Sequence, residues 1–177
     1  EATNIREICK EVNIKPSSLY FYYTAKHELF LSLYNDIWEE NIQLLNEICI
    51  MDEGIFPNMK LYYIYKKLIE YYAKTIIKQK FLLRYHLFPP QEVFVYIQER
   101  FKYWTEKENE ILLKVINQCL GQKVLHDKIS SYDYLYEFKR FISSQEINML
   151  IDNIKVSDSE MDKLWIRFWN GTMLNLL

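Results

Sequence analysis

Residues 3–30 read TNIREICKEVNIKPSSLYFYYTAKHELF, and the spacing of apolar residues in this stretch decides the fold of the N-terminal region. One apolar set at helical spacing ends near residue 12, and a second follows Pro16, a residue type favoured at the first position of a helix. Asn13 tolerates the left-handed conformation of a tight turn. The stretch therefore predicts helices over 4–12 and 16–23 in a helix-turn-helix arrangement. The facing apolar residues are Ile5, Ile8, Cys9 and Val12, then Ile14, Leu19 and Tyr23.

The outward face of the second helix points to DNA. If Leu19 and Tyr23 face inward, a rotation of about 100° per residue sends the residues between them outward. In a helix-turn-helix this helix enters the major groove, where hydroxyls reach phosphates and base edges and an aromatic ring covers a thymine methyl. The alternative is an ordinary helical corner with exposed aromatics. The predicted DNA-binding residues are Thr3, Lys15, Ser17, Ser18, Tyr20, Phe21, Tyr22 and Lys26.

The same stretch resembles the DNA-binding segment of the TetR/AcrR family of bacterial transcriptional regulators. The family pattern has a Thr, an Ile-Ala pair, a Gly-Val turn, a Leu-Tyr pair, an aromatic three residues later, then Lys and Leu. The matching residues are Thr3, Ile8 with Cys9, Asn13 with Ile14, Leu19 with Tyr20, Tyr23, Lys26 and Leu29. Lys15 departs from the usual capping Ser and Asn13 from the turn Gly, and both changes are slightly destabilising.

The resemblance implies a fold and a function. The fold is all-α: a helix-turn-helix DNA-binding domain with its connecting helix over 1–48, then an effector-binding and dimerisation domain over 49–177. The function is that of a ligand-responsive regulator, a repressor that binds a palindromic operator as a homodimer and is released by a small apolar or aromatic effector. The family's first helix is missing, so we expect native residues before Glu1, and others after Leu177.

Composition agrees with a helical protein and restricts its partners. Half of the 177 residues are apolar, and glycine and proline number only three and four. The net charge of −2 excludes a polycation that clings to nucleic acid by bulk electrostatics. Three cysteines without disulfide or metal spacing indicate a reducing cytoplasm, and no apolar run predicts a membrane span.

The charge of the N-terminal segment leaves a second functional class open. Residues 1–30 hold four basic and four acidic side chains, so this segment is neutral. The rival is a helical protein-interaction module that uses the helix-turn-helix only as a scaffold.

The positions of proline, glycine and capping residues predict where the remaining helices begin and end. They cover 25–49, 57–80, a short run over 81–88 and about thirty residues ending at Leu120. Gly54 and Gly121 would close their runs in left-handed caps. Residues 132–154 form one helix or two, and the last helix, 158–177, opens with a Ser157/Glu160 capping box.

Aromatic residues make up 16% of the chain and are dense in the middle helices. They predict either a pocket for a flat or cationic ligand or simple core packing with hydroxyls at the surface. The candidate pocket residues are Tyr65, Tyr72, Tyr85, Phe88, Phe101 and Trp104.

The last helix carries too much apolar surface for a free end and predicts a homodimer interface. Gly171 within it favours close approach of a partner helix, with a helix end at 170 as the alternative. The candidate interface residues are Trp165, Phe168, Trp169, Gly171 and Leu174.

Sites for other chemistry are not indicated. His27, His86 and His126 are far apart and without helical partners, so we expect no metal. No glycine-rich phosphate loop, nucleophile elbow or carboxylate dyad is present, so we expect no cofactor and no enzymatic activity.

Overall fold

The computed structural model of the protein describes residues 4–50, 54–152 and 156–174. All regular secondary structure in these ranges is helical, which confirms the predicted all-α class. The helices are α1 Ile5–Glu11, α2 Pro16–Tyr22, α3 Lys26–Ile50, α4 Pro57–Lys74, α5 Ile76–Leu87, α6 Phe94–Gly121, α7 Ser131–Asp152 and α8 Asp158–Phe168. A 3-10 turn, Gln91–Val93, precedes α6, and a π-helical turn, Trp169–Met173, follows α8.

The helix-turn-helix has its own small core. Ile5, Cys9 and Leu19 are buried together, and Tyr23 and Leu29 pack against them. Asn13 adopts the predicted left-handed turn with φ 56°. Val12 and Ile14 were expected in this core but are 58% and 41% exposed, because the tight turn directs the residues beside it toward solvent.

The long helix α3 belongs to both parts of the molecule. Its first turn closes the helix-turn-helix core, and its middle packs into a second cluster formed with α5 and α6. The predicted domain boundary after residue 48 falls in the last turn of α3 and stays a prediction. The buried members of this second cluster are Tyr34, Ile37, Trp38, Leu82, Tyr85, Val93, Ile97 and Trp104.

The largest core lies between the end of α3 and helices α4, α6, α7 and α8. Leu61, Ile64 and Leu68 on α4 meet Ile116 on α6 and Phe138 on α7, and all five are essentially inaccessible to solvent. Burial of such side chains is the main source of stability for a fold of this kind. No helix within the described ranges is both long enough and apolar enough to cross a membrane.

The helix predicted over 57–80 is interrupted at Thr75, which is a correction. Thr75 Oγ donates to the Tyr71 carbonyl at 2.7 Å, and Gln79 Nε2 donates to Thr75 Oγ at 3.0 Å. These side-chain bonds compete with the regular backbone pattern, and φ and ψ at Thr75 leave the helical region.

Three other boundary predictions have mixed outcomes. Residues 131–152 form one helix, so the break considered near Ser143 is wrong. Neither Gly54 nor Gly121 is left-handed; Lys123 takes that conformation instead, at φ 57°. The Ser157/Glu160 capping box is confirmed.

The end of the last helix also differs from the prediction. The α-helix stops at Phe168 and continues as the π-helical turn, close to the alternative end at 170. Residues 175–177 lie outside the described ranges.

Candidate DNA interface and effector cavity

Helix α2 divides into a buried and an exposed side as the sequence predicted. Leu19 is 9% exposed and Tyr23 packs in the small core, whereas Phe21 is 83% exposed. The other predicted contacts on this helix are also exposed: Ser17, Ser18, Tyr20 and Tyr22. The rings of Phe21 and Tyr22 meet edge to face with centroids 5.1 Å apart, so the two exposed aromatics form one apolar ridge.

The N-terminus of α2 lacks a side-chain cap. Lys15 occupies the N-cap position with extended backbone, and its side chain makes no hydrogen bond to the helix. Pro16 follows at the first helical position, where the absence of an N–H costs nothing. Lys15 is exposed and lies on the approach to the outward face of α2.

Lys26 stands at the start of α3 beside an acidic side chain. Its Nζ lies 5.4 Å from the centre of the Phe30 ring. The Glu28 carboxylate accepts hydrogen bonds from the Thr24 backbone N–H at 2.6 Å and from Thr24 Oγ at 2.9 Å, and these bonds lower the pKa of Glu28. A charged carboxylate therefore sits at the helix end that was expected to help Lys26 hold a phosphate. Thr3, another predicted contact, lies outside the described residues.

A cavity of about 260 Å³ lies in the larger helical body, within reach of five helices. Helices α3 to α7 each contribute side chains to it. Its lining residues include Trp38, Asn41, Tyr72, Gln79, Leu82, His86, Phe101, Glu108, Lys139, Ile142, Ser143, Glu146 and Ile147.

The six aromatic residues predicted for a pocket separate into three places. Tyr72 and Phe101 line the cavity. Tyr85 and Phe88 line a different, open cleft beside Lys26 and His27. Tyr65 and Trp104 line neither space, and both are buried in the core, as the alternative interpretation allowed.

Contacts explain why Tyr65 and Trp104 belong to the core. Tyr65 packs between Phe141 and Trp165, with ring centroids 4.8 and 5.8 Å away. Trp104 Nε1 donates to Asn35 Oδ1 at 3.2 Å, which ties α6 to α3. Both side chains are therefore held by contacts within the protein, and neither lines the cavity or the cleft.

The polar groups of the cavity are unequally paired. Glu108 and Lys139 form an ion pair at 2.5 Å. Glu146 has no such partner in the described structure, and burial together with the nearby Glu108 raises its pKa to about 7. Asn41 is 7% exposed and its Oδ1 accepts no hydrogen bond there. Sequence reasoning missed both residues, since each is one of many polar residues in its helix and nothing in its spacing distinguishes it from the exposed ones.

An aromatic corner forms one wall of the cavity. The rings of Trp38, His86 and Phe101 lie within 4.4 to 6.1 Å of one another, measured between centroids. Burial lowers the pKa of His86 to about 4, so this ring is neutral at pH 7. The Trp38 Nε1 group also lacks a hydrogen bond of good geometry within the described residues.

The predicted dimer residues mostly face the protomer's own core. Trp165 and Phe168 are 9% and 8% exposed, and Phe168 stacks on Phe141 with ring centroids 4.2 Å apart. Placing these two on a dimer surface is therefore corrected, because α8 needs its apolar side to cover α4 and α7. Trp169 and Leu174 are half-buried, and Gly171 is exposed with open space where a Cβ would stand.

Exposed apolar residues mark another face of α7, and one more lies on α8. Within α7 they recur at helical spacing on the side opposite Phe138 and Met149, a spacing that is visible in the sequence itself. We name this set the α7/α8 stripe: Tyr132, Tyr136, Ile147 and Ile151 on α7, with Ile166 on α8.

Comparison with known proteins supports the fold. A solved structure described as a "Clostridium perfringens putative fatty acid metabolism regulator" matches with a TM-score of 0.74 and covers 98% of this chain and 90% of that chain. Sequence identity is 15%, a level that establishes likeness of fold and not of ligand. No protein-family model and no curated protein matches the sequence. The chain thus shares the all-helical fold of that solved structure, and its own first helices form the N-terminal helix-turn-helix that the resemblance in residues 3–30 implied.

Proposed function

We propose that the protein is a ligand-responsive transcriptional regulator that binds operator DNA as a homodimer through α2. The observation that carries the proposal is the two-sided character of α2: Leu19 is buried beneath it while Ser17, Tyr20 and Phe21 face solvent. Large exposed aromatics on a short helix are unfavourable in water unless a partner covers them. The major groove of DNA fits a helix of this shape.

The chemistry of the exposed side chains suits DNA. The Tyr20 and Tyr22 hydroxyls can donate to phosphate oxygens, and Ser17 is short enough to approach a base edge. Phe21 can cover a thymine methyl group. Lys15 and Lys26 supply positive charge at the two ends of α2, which partly offsets the neutral charge of the segment.

A dimer would place two α2 helices on successive major grooves, about 34 to 36 Å apart. The α7/α8 stripe offers an apolar surface for the two-fold contact, and it lies mainly on α7, whereas the sequence analysis placed this contact on the last helix. Because Ile147 belongs both to this stripe and to the cavity lining, the cavity and the dimer contact share a side chain.

The path from effector to DNA runs along α3. This helix carries the helix-turn-helix at one end, and further along it presents Trp38 and Asn41 to the cavity. A ligand that favours one position of α3 changes the separation of the two α2 helices, and DNA is released if the two positions differ in affinity. We propose that the DNA-bound protein represses transcription and that the ligand relieves this repression. We place this activity in the cytoplasm.

Selection of preferred sequences from random double-stranded DNA tests the proposal. We expect a palindrome whose half-sites lie about one helical turn apart. A Ser17→Ala, Phe21→Ala double variant should lose the enrichment while keeping the unfolding midpoint of the parent, since both side chains are exposed. Ser144→Ala, Phe56→Ala, exposed positions away from α2, is the matched control and should select the same palindrome.

The protein-interaction module remains the second candidate, and the neutral charge of residues 1–30 favours it. It predicts no enriched DNA sequence and capture of a protein partner that depends on Phe21. The structural neighbour is described as a "putative fatty acid metabolism regulator", so carboxylates belong among the ligands that are tested alongside other classes.

A further inference from the structure

We propose that the cavity between α3 and α7 binds a small organic amine, a protonated primary or secondary amine on an apolar or aromatic body, whose N–H groups donate to the Glu146 carboxylate and to Asn41 Oδ1. That this ligand acts as the effector rests on the proposed function; that it binds does not.

The charges of the residues that line the cavity indicate the sign of the charge that the ligand carries. Of the titratable side chains that line it, Glu108 and Lys139 neutralise each other across 2.5 Å. His86 is neutral, and Tyr72 stays protonated because burial raises its pKa well above its ordinary value. Among these lining residues of the described structure, Glu146 is left as the one group without a counter-charge. An ammonium group supplies that charge, whereas a carboxylate would meet like charge.

The unpaired acceptor Asn41 Oδ1 indicates which class of amine fits the cavity. Asn41 Oδ1 is buried without a hydrogen-bond donor in the described structure, an arrangement that costs free energy. A hydrogen-bond donor from the ligand removes this cost, and the Glu146 carboxylate also accepts hydrogen bonds. A quaternary ammonium has none to give, so primary and secondary amines fit the two acceptors better.

The aromatic corner indicates the shape and polarity of the part of the ligand that carries the amine. Trp38 and Phe101 present ring surface to the cavity, and Leu82 and Ile142 complete an apolar wall. A flat or compact apolar group packs against these rings while its ammonium group reaches the acceptors. The volume of about 260 Å³ limits the body to roughly one or two rings.

The test compares three probes of one shape on the full chain: phenethylamine, 2-phenylethanol and phenylacetate, by isothermal titration at pH 8. We expect phenethylamine to bind at least about tenfold more tightly than phenylacetate, with the alcohol between them. The affinity for the amine should fall by about tenfold between pH 8 and about pH 5.5, because Glu146 becomes protonated while the amine keeps its charge.

Glu146→Gln should remove both the preference for the amine and the pH dependence. Glu110→Gln, an exposed change on α6, should leave both intact. If phenylacetate binds as tightly as phenethylamine, if neither binds at millimolar concentration, or if Glu146→Gln changes nothing, the proposal is overturned. Should Glu146→Gln fail to fold, the pH series on the wild-type protein decides the same question, because an affinity for the amine that does not fall in acid excludes Glu146 as its partner.

DNA binding separates this inference from the proposed function. Amine binding without a selected DNA sequence would uphold the ligand class and overturn the regulator. A selected sequence that phenethylamine does not affect, together with failed titrations, would do the reverse.

Discussion

The hydroxyl of Tyr34 on α3 lies 2.8 Å from Nε2 of His86 on α5, so the helix that carries the helix-turn-helix is hydrogen-bonded to a wall of the cavity. Tyr34 is completely buried, and burial raises its pKa to about 12. The two rings also meet edge to face, 5.8 Å apart. Any ligand that displaces His86 acts on α3 through this contact.

We predict that His86 makes the protein less stable in acid. Its pKa is about 4 in the folded chain against an ordinary value of 6.5, so the unfolded chain takes up the proton first. The free energy of unfolding should therefore fall as pH drops from about 6.5 to about 4, by roughly 2 to 3 kcal/mol from this residue. His86→Gln should remove that part of the loss in urea unfolding at about pH 7 and about pH 4.5. An identical acid profile in the variant would contradict the assignment.

Glu146 should act in the opposite direction. Its folded pKa of about 7 exceeds the ordinary value of 4.5, so the folded chain holds a proton that the unfolded chain has lost. Stability from this group is lost as pH rises from about 4.5 to about 7. Relative to wild type, Glu146→Gln should gain about 2 to 3 kcal/mol between those two pH values, measured by the same urea unfolding. No relative gain would mean that Glu146 ionises freely.

Two buried tyrosines should respond oppositely to loss of the hydroxyl. Tyr65 Oη is buried without a hydrogen-bond partner in the described structure, so Tyr65→Phe should raise stability by about 1 kcal/mol. Tyr134 Oη accepts from the His126 backbone N–H at 3.1 Å, so Tyr134→Phe should lower stability by about 1 kcal/mol. Thermal and urea unfolding of both variants provide the measurement, and equal effects would refute the difference in pairing.

Tyr20→Phe should weaken DNA binding without affecting folding. The Tyr20 side chain is about half exposed, and only the hydroxyl changes. Loss of one phosphate hydrogen bond should reduce affinity for the selected operator by about three- to tenfold in fluorescence anisotropy. Tyr63→Phe on α4, similarly exposed, serves as the control. Equal affinities for the two variants would remove the Tyr20 hydroxyl from the interface.

The α7/α8 stripe can be tested by charge. Ile151 is 70% exposed, so Ile151→Glu should yield folded monomers in sedimentation, with helical circular dichroism unchanged. Trp165→Glu should instead unfold the chain, because that side chain lies in the core. Dimers that persist in both Ile151→Glu and Ile166→Glu would place the interface elsewhere.

Local spacing was enough to determine the helix-turn-helix and most helix starts. The inward positions of Leu19 and Tyr23, the left-handed turn at Asn13 and the Ser157/Glu160 capping box each depend on residues within a few positions of one another. Rotation along a helix and capping chemistry act over this short range, so the sequence by itself determined the all-α class and the exposed face of α2.

Only the tertiary structure decided which side chains enclose the cavity and which side of α8 is covered. Tyr65 and Tyr72 lie on the same helix with similar character, yet one packs beneath α8 and the other lines the cavity. Glu146 lacks an ion-pair partner because the packing of α6 against α7 pairs Lys139 with Glu108 instead, and this pairing depends on the tertiary structure. Contacts of this kind join residues far apart in the chain, and their geometry depends on how whole helices pack, which spacing along one helix does not encode.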